Sequence, residues 1–136
     1  MEDQLHLWNR IVFNFVLGNT DAHIKNYSLL YDPHMEGVSL APAYDMISTA
    51  IYKSTTKDMS FNIGGIRNID SIDEGRFKSL AARVGIGEKI AMSNYYKILD
   101  EFENAIKESA KELQEIGFSN AGDIAERILT ARKRVL

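Results

Sequence analysis

Between Asn26 and Asp45 the chain runs Tyr27-Ser28-Leu29-Leu30-Tyr31, then Asp32-Pro33-His34-Met35-Glu36-Gly37, then Val38-Ser39-Leu40. Two short apolar runs around a turn that carries Pro and Gly predict a β-hairpin. A hairpin returns the chain to where it started, so it brings Asn26 beside Asp45. Asp21 lies five positions before Asn26, in Gly18-Asn19-Thr20-Asp21-Ala22-His23-Ile24-Lys25-Asn26. A fold that obeys this local pattern must gather two carboxylates and one amide from two separate loops.

That order of groups suits phosphoryl transfer. Such a site needs an Asp to accept the attacking hydroxyl's proton, an Asn to hold magnesium, and a second Asp to hold the metal across the phosphates. The transition state is loose, so the protein mainly positions the reactants and neutralises charge with metal. Magnesium prefers hard oxygen ligands and keeps several waters, which makes Asn26 and Asp45 a sufficient protein contribution. The competing explanation is structural, because Asp and Asn commonly close loops through their own side chains. The ordered set, rather than any one residue, favours chemistry.

The motifs extend beyond these three positions. Phe13-Asn14, Gly-Asn-Thr-Asp-x-His-x-Lys-Asn at 18–26, the hairpin, and Leu40-Ala41-Pro42-Ala43-Tyr44-Asp45 together resemble the C-terminal lobe of HipA-family serine/threonine kinases. Asp58-Met59-Ser60-Phe61-Asn62-Ile63-Gly64-Gly65 and the stretch from Phe77 to Ile86 resemble that family's small-sheet segment and the helix after it. The resemblance implies Asp21 as catalytic base and Asn26 and Asp45 as metal ligands. It places His23, Lys25, Asn26, Tyr44 and Asp45 around the nucleotide, with ATP and Mg2+ as cofactors. Lys25 is then either a mobile cation near the γ-phosphate or a solvated loop lysine. His23 either orients the loop, contacts phosphate, or is a hydrogen-bonded structural histidine. The same resemblance implies a toxin of a toxin–antitoxin system. Its protein substrate would be one such as an aminoacyl-tRNA synthetase, its partner a HipB-like DNA-binding antitoxin, and its contact with DNA only through that complex.

Two departures separate the chain from eukaryotic-type kinases: Asn19-Thr20 stands where His-Arg precedes the Asp, and Tyr44-Asp45-Met46 replaces Asp-Phe-Gly. A kinase also needs a glycine-rich loop over the phosphates and a strand Lys paired with a helix Glu. Neither precedes Asp21, where Met1 to Leu17 read as one helix with Leu5, Trp8, Ile11, Val12, Phe15 and Val16 at helical spacing. The expectation is therefore a single partial domain over 1–136, mainly α with small β-hairpins. It is a kinase-like C-terminal lobe of the HipA type without the nucleotide-clamping N-terminal lobe, inactive or nearly so alone, with that missing lobe as a partner. Two rivals stand beside it: a non-catalytic module that binds a partner lobe, an antitoxin or DNA, and a fragment of an atypical small-molecule kinase.

The remaining stretches define the scaffold. Ile47 to Lys57 is rich in Ser and Thr and suits either an activation segment or a plain connector, with Ser48, Thr49, Ser54, Thr55 and Thr56 as hydroxyls open to phosphorylation. Residues 59–63 alternate with period two, and Gly64-Gly65 is a two-residue turn signal leading to Ile66–Ile69, a second hairpin. From Ser71 the period is helical, with Asp73 or Ser71 as N-cap and Phe77, Leu80, Ala81 and Val84 as a stripe before Gly85. Ala91, Tyr95, Ile98, Leu99, Phe102, Ala105, Ile106, Leu113 and Ile116 continue as a long helix read as core-facing, stopped by Gly117. A last helix runs from Asn120 with Ile124, Ile128, Leu129 and Val135 inward.

Composition narrows the partners. With 45% hydrophobic residues in 136, the chain can bury a core. No apolar run of roughly 18 residues and no basic-then-apolar leader is present, so a cytoplasmic location without membrane contact is expected. The absence of Cys rules out disulfides and thiolate metal sites, and His6, His23 and His34 lack zinc-ligand spacing. A formal net charge of −3 argues against broad electrostatic binding to nucleic acid. The basic cluster Arg127, Arg132, Lys133 and Arg134 reads as solvated cations complementing the C-terminus of the last helix.

Overall fold

The computed structural model describes residues 2–136; Met1 of the expected first helix lies outside them. Helix α1 (Glu2–Leu17) opens with Glu2 and Asp3, whose charge suits a helix N-terminus, and buries Trp8, Ile11, Val12, Phe15, Val16 and Leu17. The Trp8 indole Nε1 donates to Ala91 O at 2.8 Å, which satisfies the one polar group of this large core residue and fixes α1 against the start of the long helix.

After the loop that follows α1, β1 (Leu29–Tyr31) and β2 (Val38–Leu40) pair antiparallel, with Leu29 opposite Leu40 and Tyr31 opposite Val38. The Asp32 side chain accepts from the backbone N–H of His34 and of Glu36, so the turn is closed by the Asx chemistry that its composition predicts. The hairpin is largely exposed and is tied to α1 where Asp3 Oδ1 accepts from Leu40 N at 3.1 Å. The second hairpin pairs β3 (Asp58–Ile63) with β4 (Ile66–Asn68). Gly64 and Gly65 both have positive φ, +56° and +86°, as a two-residue hairpin turn of this kind requires.

Helix α2 (Glu74–Val84) is capped by Asp73, which accepts from Arg76 N, and stops at Gly85 in the left-handed conformation. Helices α3 (Glu88–Glu115) and α4 (Ala121–Arg132) complete the chain. Phe77 of α2 sits edge-on to Trp8 and Phe15 of α1, with ring centroids 5.9 and 5.0 Å apart, and Met59 and Ile63 of β3 close the same core. The fold is thus mainly helical with two small antiparallel hairpins. Among the described residues no helix is long and apolar enough to cross a membrane.

The long apolar stripe needs a correction. Leu113, Ile116 and Ala105 of that stripe are exposed, as are Phe118 and Ile124. The 28-residue α3 outruns α1, and only small residues of α4, Ala121 and Ala125, pack at its far end against Ala110. Helical period identifies a face; it does not say how far along that face a partner extends. Val135 is half-buried and lies beyond α4.

Candidate active site

The site begins where α1 stops. Gly18 has φ +79°, and a Cβ there would stand 2.6 Å from Ala50 Cβ and 2.9 Å from Arg132 Cδ, so both conformation and space require glycine. Its carbonyl accepts from Thr49 N, Ala50 N and Thr49 Oγ1 at 3.1, 3.0 and 2.9 Å. Thr20 N donates to Thr49 Oγ1 at 2.9 Å, and the Thr20 hydroxyl lies 2.8 Å from the same oxygen. The Thr20 carbonyl in turn accepts from Ser60 N and Ser60 Oγ of β3. Ser48 Oγ donates to Leu17 O. The first part of the Ser- and Thr-rich segment is therefore a bracket that grips the loop carrying Asp21, and its Ser48 and Thr49 hydroxyls are engaged internally.

A second tie runs through amides. Asn19 is fully buried; its Nδ2 donates to Asn14 Oδ1 at 2.8 Å and to Asp45 O at 3.2 Å, while its Oδ1 accepts from Asp21 N at 3.1 Å. One side chain thereby joins α1, the Asp21 backbone and the Asp45 backbone. Asn14 also donates to Arg10 O and to the Tyr27 hydroxyl. Burial pushes the Tyr27 phenol above the usual tyrosine range, against the opposing effects of the Asn14 hydrogen bond and of Arg10.

Around these ties stand the candidate residues. The hairpin brings Asn26 and Asp45 together as its closure requires: Asn26 Nδ2 donates to Asp45 Oδ2 at 3.2 Å, on the exposed surface. Asp45 has φ +56°, a left-handed conformation that an L side chain adopts at a cost of about 1 kcal/mol. Tyr44 Oη donates to Lys25 O at 2.7 Å and lies 3.0 Å from Ser28 Oγ, so this phenol clamps the loop to the base of the hairpin. The Lys25 side chain is exposed. His23 anchors the loop through its backbone, which donates to Asp21 O and accepts from Asn26 N, and its Nδ1 is buried without a hydrogen-bond partner. Asp21 is exposed and sits on the same braced loop; its carboxylate makes no hydrogen bond to Asn26 or Asp45. Among the described residues no group of three His, Cys, Asp or Glu is placed to hold a metal by protein ligands alone. The paired carboxylate and amide instead fit a hard cation that keeps most of its waters and shares phosphate oxygens.

Arg132 is placed differently from the rest of the basic tail. It is 2% exposed, and its Nε and Nη2 donate to Val16 O at 3.1 Å and Phe15 O at 2.8 Å, with the guanidinium carbon 5.2 Å from the Phe15 ring centroid. It complements the C-terminus of α1 and not that of its own helix. Desolvation lowers its pKa to about 10, partly offset by Asp70, so it remains a cation at neutral pH. Arg127 stays exposed but donates to Ile51 O. Asn14, Asn19, Thr49 and Arg132 all shape the site without belonging to the Asp/Asn candidate set. The Asn19-Thr20 departure from His-Arg was the visible signal for the first two ties.

The architecture defines a class: a helical lobe in which a glycine-started loop and a hairpin present a carboxylate and an amide side by side. Residues 1–111 match the family model for the HipA-like C-terminal domain, and the chain belongs to that family. Similar proteins include a putative kinase, Y4mE, of Sinorhizobium fredii, 29% identical over 119 residues that make up 88% of this chain and 28% of that protein. The serine/threonine-protein kinase toxin HipA of Shewanella oneidensis is 29% identical over 97 residues, covering 71% of this chain and 22% of the toxin. A chain in the solved complex of Shewanella oneidensis HipA, HipB and operator DNA superposes with a TM-score of 0.78 at 25% identity, over 96% of this chain and 31% of that one. The chain thus spans about a quarter of the length of the curated relatives it matches.

Proposed function

We propose that residues 1–136 form the catalytic C-terminal lobe of a HipA-like serine/threonine kinase that transfers the γ-phosphate of ATP to a protein hydroxyl. The observation that carries this reading is the contact between Asn26 and Asp45 on a surface braced to Asp21 through Asn19. Asp21 takes the proton of the incoming Ser or Thr hydroxyl as its oxygen forms the bond to γ-phosphorus and the bond from phosphorus to the β–γ bridging oxygen breaks, leaving ADP. Asn26 and Asp45 hold Mg2+, which neutralises charge on the phosphates when bound. Tyr44 keeps the loop seated on the hairpin, and exposed Lys25 would offset γ-phosphate charge as a mobile cation. A glycine-rich loop and a strand Lys would come from outside residues 1–136, from the same protein or a second chain. Similarity to HipA, which is solved in a complex with HipB and operator DNA, supports a HipB-like antitoxin as partner and a toxin role.

A binding-module reading has one specific observation in its favour, the exposed Leu113, Ile116, Phe118 and Ile124 at the open end of α3 and α4. The two readings separate in one experiment. Phosphate transfer from Mg-ATP to protein is measured with the native gene product, together with any adjacent frame that encodes the clamping lobe, for the unaltered protein and Asp21→Asn. The kinase reading expects a loss of about 10²–10⁴-fold in the variant with nucleotide binding retained. Equal transfer by the two proteins would remove Asp21 from the chemistry, and no transfer by a folded, nucleotide-binding assembly would favour the binding module.

A further inference from the structure

We propose that Arg132, at the end of α4, is a positioning residue for the Asp21 loop: it fixes the last turn of α1 and, through Gly18, sets where Asp21 stands relative to Asp45. The kinetic part of this proposal rests on the kinase reading; the structural part does not.

The carbonyls of the last turn of a helix have no partner within the helix and must be met from outside. Here Arg132 meets two of them, at Phe15 and Val16, while Phe15 O also accepts from Gly18 N. Phe15 O is therefore shared between the guanidinium and the first residue of the catalytic loop. The Arg132 side chain also forms one wall of the space that Gly18 leaves empty, opposite Ala50. Gly18 O, Thr20 N and Asp21 N are gripped from the other sides by Thr49 and Asn19. The loop is held between the Thr49 bracket and the Arg132 fork, with Asp21 left exposed.

The site calls for donors to these two carbonyls rather than for a salt bridge. None of the side-chain ion pairs among the described residues includes Arg132. A hydrocarbon of similar volume would leave Val16 O without its donor, and a side chain with a single donor would meet only one of the two carbonyls. What hydrocarbon cannot supply is a rigid fork of donors in fixed directions. The helix dipole and the Phe15 ring make the cation tolerable, and the fork converts it into geometry.

The test uses the native gene product carrying Arg132→Ala, Arg132→Lys or Arg132→Met, read by amide hydrogen exchange and by steady-state kinetics. Two cavities flank Arg132, one lined by Thr20, Lys53 and Asp70 and one by Ile72, Tyr95 and Arg134, so added guanidinium ion can reach the vacated position. In Arg132→Ala and Arg132→Met, exchange at residues 18–21 should rise about 10-fold while residues 4–11 of α1 keep their protection. Guanidinium ion should restore slow exchange to Arg132→Ala. Displacement of a reacting group by about 1 Å can cost about 100-fold, so kcat should fall by about that factor with KM for ATP within about 2-fold, and recover with guanidinium in parallel. Unchanged exchange in Arg132→Met, or exchange that rises evenly through α1 and α4, would overturn the proposal. If Arg132→Ala does not fold, Arg132→Met and Arg132→Lys decide it. If the unaltered protein transfers no phosphate, the kinase reading fails while the exchange result still judges the positioning role.

Discussion

Thr49→Val removes one oxygen and keeps the shape of the side chain, and the structure gives its cost. Thr49 Oγ1 accepts from Thr20 N, lies in hydrogen-bond contact with the Thr20 hydroxyl, and donates to Gly18 O, all in buried surroundings. Thr20 N has no other partner, and an orphaned buried N–H costs about 1–3 kcal/mol. Loss of the hydroxyl–hydroxyl bond adds about 1 kcal/mol. Gly18 O keeps its backbone donors Thr49 N and Ala50 N and so loses least. The expected sum is about 2–4 kcal/mol, a large share of the roughly 5–15 kcal/mol that stabilises an ordinary domain. Thr49→Ser keeps the oxygen and removes one methyl, for about 1 kcal/mol. Urea unfolding of the 136-residue chain, with unchanged m-values as the control for two-state behaviour, measures both variants. If Thr49→Val falls within about 0.5 kcal/mol of Thr49→Ser, the hydroxyl does not brace the loop and the bracket described above is wrong.

Other outcomes follow from the same geometry. Asp45→Asn keeps a side chain that tolerates positive φ, so stability should stay within about 0.5 kcal/mol while the Mg2+ concentration for half-maximal phosphate transfer rises about 10-fold, measured by metal titration. The Tyr27 phenol ionises later in the folded chain than in the unfolded one because it is buried. Its contribution to stability is therefore complete below the unfolded tyrosine pKa of about 10 and is lost as pH rises past it. Urea midpoints between pH 8 and 11 should fall more steeply for the unaltered chain than for Tyr27→Phe, and equal slopes would contradict the burial argument.

Much of the fold could be read from local pattern because its causes are local. Asp32-Pro33 with Gly37 makes a turn, Gly64-Gly65 supplies two positive φ values, and Asp73 and Gly85 bound α2. The approach of Asn26 to Asp45 followed from the hairpin alone. What escaped the sequence depends on contacts far along the chain. Arg132 sits in a basic run that looks solvated, and its partners on α1 lie 116 and 117 positions away. Thr49 looks like any loop threonine until Gly18 and Thr20 are placed beside it. Asn19 is polar and near candidate chemistry, yet it is fully buried because its amide serves three backbone or side-chain partners at once. The exposed end of α3 escaped for the opposite reason: its stripe is regular, but no longer element covers it.

The central claim is that Asn26 and Asp45 hold one hard cation beside Asp21. Paramagnetic broadening by Mn2+, a magnesium surrogate with the same preference for oxygen ligands, tests it in the ¹⁵N-labelled chain with ATP present. The account predicts that the earliest broadening centres on the Asn26 side-chain amide and the backbone of residues 21–26 and 44–46, and that Asp45→Asn shifts it to about 10-fold higher Mn2+. Broadening centred on other carboxylates, such as Asp32 or Asp58, or broadening unaffected by Asp45→Asn, would contradict it.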